Sequence, residues 1–292
     1  MTLRVETGMI RESSYRMISK TYSKYGLSHL LARGIEFSCL QSRPTAQLYR
    51  RLAPIFYRYK YEFDVSEYDV PINPLRIRYV DPQDIDLFSA RKDLTPSVRE
   101  AKYQIGSIME GTWDLDEYSG EKYTKKRLLY ADSLSNTLLF QAMEKRYIEG
   151  YEWEETEFFQ EIVKHVKRGN RIWHGSTTKS DIEKRCAKID HLYDNIKENG
   201  YMTKKELHGY RPSMDKPFGY LNERLDEVTV DVSRNGDFLL VDSKHRLAIA
   251  RLLGIEKIPV TVLVRHQRWM EYLDEQFSTG TMPDHPDCVE VQ

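Results

Sequence analysis

The sequence has little of what marks secreted, membrane-spanning or nucleic-acid-coating proteins. Its 292 residues include three cysteines, Cys39, Cys186 and Cys288, too few and too scattered for a disulfide framework or a C-x-x-C site. No apolar run reaches the ~18–20 residues that cross a bilayer, and the N-terminus, MTLRVETGMIRESSYR, lacks the apolar centre of a signal peptide. The net charge of −1 excludes a wholly basic nucleic-acid coat. We therefore expect a cytoplasmic protein with reduced thiols.

The sequence contains enough hydrophobic residues to form a folded core. Hydrophobic residues make up 40% of the chain and aromatic residues 12%, which argues against a disordered protein. At ~100–200 residues per domain, this length suits one elaborated domain or two small ones.

Charge divides the chain into a basic front and an acidic remainder. Residues 1–60 contain 11 Lys and Arg but three Asp and Glu, whereas the rest contains 33 basic and 42 acidic residues. This segment could bind nucleic acid or an anionic membrane surface, the latter being the weaker expectation. We favour instead a helical arm that docks on the acidic body, because the segment is also apolar. The apolar residues expected to be buried are Leu30, Leu31, Ile35, Phe37, Leu40, Leu52, Ile55 and Phe56.

The middle of the chain gives weaker signals. The alternation at 75–80 predicts a strand, which Asp81 and Pro82 should end. Two helices are expected, one over 133–148 and one after Thr156. We expect the four tryptophans to build core rather than stack on bases; they are Trp113, Trp153, Trp173 and Trp269.

The C-terminal third has clearer signals for secondary structure. Ser180 and Glu183 form a predicted capping box for an amphipathic helix that Gly200 ends. Asn235-Gly236 predicts a hairpin between strands at 228–232 and 238–241. A short helix at 244–253, opened by Asp242 or Ser243, and a strand at 258–264 complete the pattern. The apolar face of the amphipathic helix comprises Ile182, Cys186, Ile189, Tyr193 and Ile196.

Two stretches resemble the conserved boxes of one superfamily. DHLYDNIKENG at 190–200 resembles the first box of ParB-type domains, and VDSKHRLAIARLLGIEKIPV at 241–260 resembles the second, which sulfiredoxins share. The chain is thus similar to the ParB/sulfiredoxin superfamily over 181–266, with 75–80 as its first strand. The resemblance implies an α+β fold in which helices pack on a mixed sheet.

The same resemblance suggests a domain organisation. A basic helical N-terminal arm (1–63) would precede the first strand region (64–82), and a large, mostly helical insertion (83–180) would separate that region from the ParB/sulfiredoxin-like core (181–268). A C-terminal tail (269–292) would follow.

The start of the short helix predicts an anion site. Helix N-termini present unpaired N–H groups and a positive dipole end, and Ser243, Lys244, His245 and Arg246 add side-chain donors there. Arg and Lys suit phosphate oxygens. Arg265 and His266, expected in the loop after the last strand, are further candidate ligand contacts. The candidate catalytic carboxylates, as general base or Mg²⁺ ligand, are Asp242 and Asp231.

At several positions the sequence departs from the superfamily pattern, and these departures argue against some of the functions known in that superfamily. Lys244 stands where sulfiredoxin has its catalytic cysteine, so we do not expect thiol chemistry of the sulfiredoxin type. Only 26 residues follow His266, too few for the helix-turn-helix domain of partition proteins, so we do not expect a role in chromosome partitioning. His245 replaces the first Arg of the family's Arg-Arg pair. The histidines and cysteines lack metal-ligand spacing, so no dedicated metal site is expected.

The function that the resemblance favours is nucleotide-dependent phosphoryl transfer. Related proteins without the DNA-binding domain include phosphotransferases that use ATP or ADP. We expect ATP or ADP, with CTP as an alternative, together with Mg²⁺ and a small-molecule or glycan acceptor. A ParB-like DNA-binding protein or nuclease, and a binding protein without catalysis, remain open alternatives.

Overall fold

The computed structural model describes residues 34–35, 38–39, 42–61, 63–91, 104–115, 128–208 and 220–288. The chain divides into two compact units, one formed by Met1–Lys60 with His208–Glu223 and the other by Tyr61–Leu207 with Arg224–Gln292. None of the helices among these described residues combines the length and apolarity needed to cross a membrane.

Helix α1, Arg43–Tyr61, is the main described element of the first unit. Its small side chains Ala46 and Ala53 are buried. Arg50 Nη2 donates to Glu223 Oε1 at 2.8 Å. The expectation that the larger apolar side chains would be buried is wrong wherever it can be judged: Ile35, Leu52, Ile55 and Phe56 are 46–67% exposed. The other four predicted to be buried, Leu30, Leu31, Phe37 and Leu40, lie outside the described residues.

The second unit contains a mixed five-stranded sheet, as expected for an α+β protein. The strands are β1 (Arg78–Val80), β2 (Ser107–Met109), β3 (Val228–Val232), β4 (Phe238–Asp242) and β5 (Ile258–His266). Their order is β1-β5-β3-β4, and β2 also pairs with β5. The β3–β4 hairpin is antiparallel and β3 is parallel to β5, so β5 is buried along its whole length. The hairpin predicted at Asn235-Gly236 is confirmed.

Three strand predictions need correction. The first strand begins at Arg78 rather than at residue 75, because Leu75 lies in a turn. Strand β2 lies in the segment expected to be mostly helical, and it pairs parallel with the end of β5. Arg265 and His266, expected in a loop, are the last residues of β5, since this pairing with β2 extends the ladder.

Helices form most of the remaining described structure. They are α2 (Leu138–Glu144), continued by one π turn over Lys145–Glu149, then α3 (Glu157–Lys167), α4 (Lys179–Asn199), α5 (Lys204–His208), α6 (Tyr220–Leu225), α7 (Lys244–Leu252) and α8 (Gln267–Thr279). Helix α2 starts five residues later than predicted, because Thr137 Oγ1 accepts from Phe140 N and caps it there. Helix α3 begins after Thr156, as predicted.

The capping residues of α4 differ from the predicted pair. The capping box is formed by Thr178 and Asp181, not by Ser180 and Glu183, because the Asp181 carboxylate accepts the N–H of Thr178 while Thr178 Oγ1 accepts that of Asp181. The apolar face is confirmed, since all five predicted residues are buried. The four tryptophans are also buried, as expected of core residues.

The buried thiols fit an inert role. Cys186 and Cys288 are free and buried, and burial raises the pKa of both to about 12. Thiolates, the nucleophilic form, are therefore scarce at neutral pH.

A buried ion pair joins the sheet to the segment before β2. Asp231, in the middle of β3, accepts two hydrogen bonds from Arg91, at 2.9 Å from Nε and 2.8 Å from Nη2. It also accepts from Ser89 Oγ at 2.6 Å and from the N–H of Val264 in β5 at 3.2 Å. The last bond fills a gap in the ladder, because the β3–β5 register shifts there. Asp231 is therefore a structural residue of the sheet.

We predict that Asp231→Asn destabilises the protein by about 3–5 kcal/mol, because it removes the buried negative charge that accepts two hydrogen bonds from Arg91. Urea unfolding would measure the change. The control is Glu183→Gln, which breaks an exposed pair with Lys179 and should cost about 0.5 kcal/mol or less. Equal costs for the two variants would contradict the assignment.

Candidate anion site at the start of helix α7

The candidate site is built on a sharp turn between β4 and α7. Ser243 has φ 71° and ψ 33°, a left-handed conformation that costs energy for any residue with a Cβ. Its Oγ donates to the carbonyl of Glu227 at 3.0 Å instead of capping the helix. Ser243 thus occupies the predicted N-cap position without forming the predicted side-chain cap, while its carbonyl accepts the N–H groups of Arg246 at 3.1 Å and Leu247 at 3.2 Å.

Arg246 lies on the buried side of this turn. Its Nη1 donates to Glu227 Oε2 at 2.7 Å and its Nη2 to the Met202 carbonyl at 2.6 Å, while the guanidinium lies 4.3 Å from the Tyr201 ring centre. Burial raises the pKa of Glu227, an effect that Arg246 opposes. The structure therefore uses Arg246 to hold α7 in place, and not as an exposed phosphate ligand.

Lys244 lies on the other side of the turn. Its Nζ donates to the Leu129 carbonyl at 2.9 Å and sits 3.5 Å from the centre of the Tyr130 ring. A lysine ammonium has three donors, so it can bind an anion while keeping a carbonyl contact. The positive charge is held beside the first turn of α7.

His245 is the unusual residue of the site. Its Nε2 atom is shielded from solvent and has no hydrogen-bond partner. Burial, with Lys244 and His174 nearby, lowers the pKa of His245 to about 3, so the ring is neutral at pH 7. Its ring centre lies 6.2 Å from that of Trp173 and 6.3 Å from that of His174.

The loop that faces His245 is strained. Trp173 (φ 47°) and His174 (φ 63°) are, with Ser243, the non-glycine residues of the described chain that have positive φ. Trp173 is 1% exposed, and its Nε1–H has no hydrogen-bond partner either. Arg185 holds this loop, donating from Nη2 to the His174 carbonyl at 3.2 Å.

Backbone strain and two of the unsatisfied buried polar atoms therefore coincide at this turn and loop. Left-handed non-glycine residues persist only where surrounding structure enforces them, and they concentrate at functional sites. A buried indole N–H and a buried imidazole nitrogen without partners also require an explanation, such as a bound polar group. We refer to Asp242, Ser243, Lys244 and His245, with Trp173 and His174, as the α7 cluster.

Among the predicted carboxylates, only Asp242 belongs to the α7 cluster. It is the half-buried last residue of β4, and its charge acts on His245. Asp231 is in the sheet interior, where Arg91 and Ser89 occupy its oxygens.

Arg265 has a structural role at the end of β5. It donates to both oxygens of the buried Asp287, at 2.8 Å from Nε and 2.5 Å from Nη2. Although burial alone would raise the pKa of Asp287, Arg265 lowers it to about 2. Asp287, in the predicted tail, therefore anchors that segment to the sheet and neutralises Arg265.

His266 also has a structural role. Its Nδ1 accepts the N–H of Arg268 at 3.0 Å and caps α8, and its Nε2 lies 3.0 Å from the Gly111 carbonyl. Its ring lies against Trp113, with centres 5.7 Å apart. Both ring nitrogens are occupied, so His266 stands apart from the α7 cluster.

The sequence did not single out Trp173, His174 or Arg185 as site residues. The sequence shows Trp173 and His174 next to Gly175, which indicates a turn. It does not show that Trp173 and His174 themselves have positive φ, because this conformation cannot be recognised from a sequence. In the described part of the chain, no three His, Cys, Asp or Glu side chains are grouped so as to hold a metal ion. No known protein-family model, curated protein or solved structure matches this chain.

We predict that stability falls between pH 6.5 and 4.5, in part because of His245. Its pKa is lower in the folded state, about 3 against an ordinary 6.5, so in this window the unfolded chain binds a proton that the native chain does not. The contribution approaches 1.4 kcal/mol per pH unit. His245→Gln should flatten the dependence of Tm on pH, whereas a change at the exposed His191 should not. Unaltered pH dependence in His245→Gln would show that His245 is not held neutral.

Proposed function

We propose that the chain binds the phosphate groups of a nucleotide at the α7 cluster and transfers a phosphoryl group to a small acceptor. The single observation that carries the proposal is that all three left-handed non-glycine residues of the described chain meet around His245. The resemblance of 190–200 and 241–260 to ParB/sulfiredoxin boxes supports the same place and the same ligand class.

The donors of the α7 cluster suit phosphate oxygens. The first N–H groups of a nine-residue helix, the Lys244 ammonium and the indole N–H of Trp173 are all donors, and the last is buried without an acceptor. A phosphate would satisfy these donors, and its charge would be offset by Lys244 and by the helix dipole. Arg246 would act indirectly, by holding the turn through Glu227.

Phosphoryl transfer requires mainly positioning and positive charge. Lys244 would hold the phosphate chain, and Asp242 would accept the proton of the attacking hydroxyl or contribute one oxygen to Mg²⁺. The remaining Mg²⁺ ligands would come from the nucleotide and water. ATP or ADP is the proposed donor, with CTP as the alternative, and a small molecule or glycan is the proposed acceptor class.

Binding is tested by isothermal titration of ATP, ADP and CTP, each with and without Mg²⁺. Lys244→Ala should weaken binding about 10–100-fold, because a charge-assisted hydrogen bond contributes about 1.5–3 kcal/mol. The matched control is Lys257→Ala, which removes an exposed lysine between α7 and β5 and should leave Kd unchanged. Asp242→Asn should retain nucleotide binding and lose transfer.

Absence of binding by all three nucleotides would contradict the proposal, as would equal effects of Lys244→Ala and Lys257→Ala. Salt-sensitive binding of duplex DNA that requires Lys244, without nucleotide binding, would favour the DNA-binding alternative instead.

We also predict that nucleotide binding takes up a proton at His245. A bound anion favours the charged imidazolium, so it should raise the pKa of His245 from about 3, and affinity should increase as the pH falls from 8 to 6. Titrations in two buffers of different ionisation enthalpy measure the protons taken up. His245→Gln serves to subtract protonation of the nucleotide itself, and equal proton uptake in both proteins would contradict the prediction.

A further inference from the structure

Helix α1 carries a stripe of exposed aliphatic side chains. Leu48, Leu52 and Ile55 are 58%, 53% and 67% exposed. Their spacing of four and three residues places them on one face of the helix, where they form a continuous apolar strip. Large aliphatic side chains grouped in this way mark interaction surfaces, whereas scattered ones do not.

The orientation of this face is fixed by the opposite side of the helix. Ala46, Ala53 and Tyr57 are buried there. On the same side Arg50 pairs with Glu223 at 2.8 Å, with both side chains largely buried. Because α1 already packs through this second face, the strip of Leu48, Leu52 and Ile55 stays exposed in the described part of the chain.

The charge of α1 indicates what the strip contacts. Between Arg43 and Tyr61 the sequence has five Arg and Lys and no Asp or Glu. Residues 1–60 as a whole contain 11 basic and three acidic residues. A second copy would bring two such segments together and be repelled, and duplex DNA offers phosphates but little apolar surface to an aliphatic strip. An anionic membrane surface satisfies both features, since lipid phosphates attract the charge and acyl chains accept the strip.

We propose that α1 docks in the plane of an anionic membrane surface, with Leu48, Leu52 and Ile55 inserted at the boundary between headgroups and acyl chains. Arg51, one residue before Leu52 and also exposed, contacts the headgroups. The attachment is peripheral and reversible, because one short helix buries limited apolar area. It brings the chain to a membrane surface, a role independent of nucleotide binding at the α7 cluster.

Co-sedimentation of the full chain with vesicles tests this inference. Vesicles of 30% phosphatidylserine in phosphatidylcholine should bind the protein, pure phosphatidylcholine vesicles should bind it far less, and binding should decrease as salt rises from 0.05 to 0.5 M. The variant Leu52→Ser/Ile55→Ser should lower the partition coefficient at least about tenfold, because each side chain loses its burial in the membrane. The matched control is Leu115→Ser/Ile148→Ser, which removes one leucine and one isoleucine of similar exposure, 61% and 59%, from elsewhere in the chain.

Loss of binding in the α1 variant alone, with Tm unchanged in both variants, supports the proposal. Equal loss in both variants, equal binding to both kinds of vesicle, or no binding to either would overturn it. Sedimentation equilibrium of the same proteins gives a further check. A dimer that dissociates in Leu52→Ser/Ile55→Ser would show that a second copy covers the strip, and the membrane proposal would then be wrong.

Discussion

The geometry of the candidate site depends on Glu227, the residue that precedes β3. Its backbone carbonyl accepts from Ser243 Oγ, and its carboxylate accepts from Arg246 Nη1 and from the N–H of Lys204. A buried carboxylate is costly unless its charge is paired and its oxygens are hydrogen-bonded, and Arg246 meets the first condition. Because these bonds fix both ends of the first turn of α7, the left-handed Ser243 can persist.

Other buried carboxylates around the sheet are likewise paired with arginines. Asp231 is paired with Arg91, Asp287 with Arg265, and Asp114 with Arg234 at 2.7 Å, all with their carboxylates fully buried. Each pair joins segments far apart in sequence, so these charges specify which segment packs against which strand. At the α7 cluster, Trp173 Nε1 and His245 Nε2 are buried without a hydrogen-bond partner in the described part of the chain, and Arg265 Nη1 in the sheet is another such atom. The cluster differs from the ion pairs because its two unsatisfied atoms lie beside the left-handed residues Trp173, His174 and Ser243.

Buried and exposed arginines differ in where their counter-charges come from. In the second unit, Arg78, Arg91 and Arg265 are almost completely buried, with carboxylates as counter-charges. In helix α1, Arg50 is paired with Glu223 whereas Arg51 is exposed beside the aliphatic strip. An interior cation needs a carboxylate of the same chain, but a surface cation next to apolar side chains can take its counter-charges from another surface.

Local patterns were sufficient for elements whose signal is local. The apolar face of α4, the Asn235-Gly236 hairpin, the cap of α3 at Thr156 and the extents of β3, β4 and α7 follow from spacing and turn chemistry. The sequence also predicts an anion site at the start of α7, and this stays a prediction. Only the tertiary structure shows which of the predicted site residues have structural roles instead. These are Arg246, Arg265, His266 and Asp231, whose side chains are bound to other protein groups. A sequence does not show this, because most of those partners are distant along the chain. Strand β2 and the strained Trp173–His174 loop also depend on contacts distant in sequence. Strand β2 forms by pairing with β5, and Arg185 donates to the His174 carbonyl in the loop.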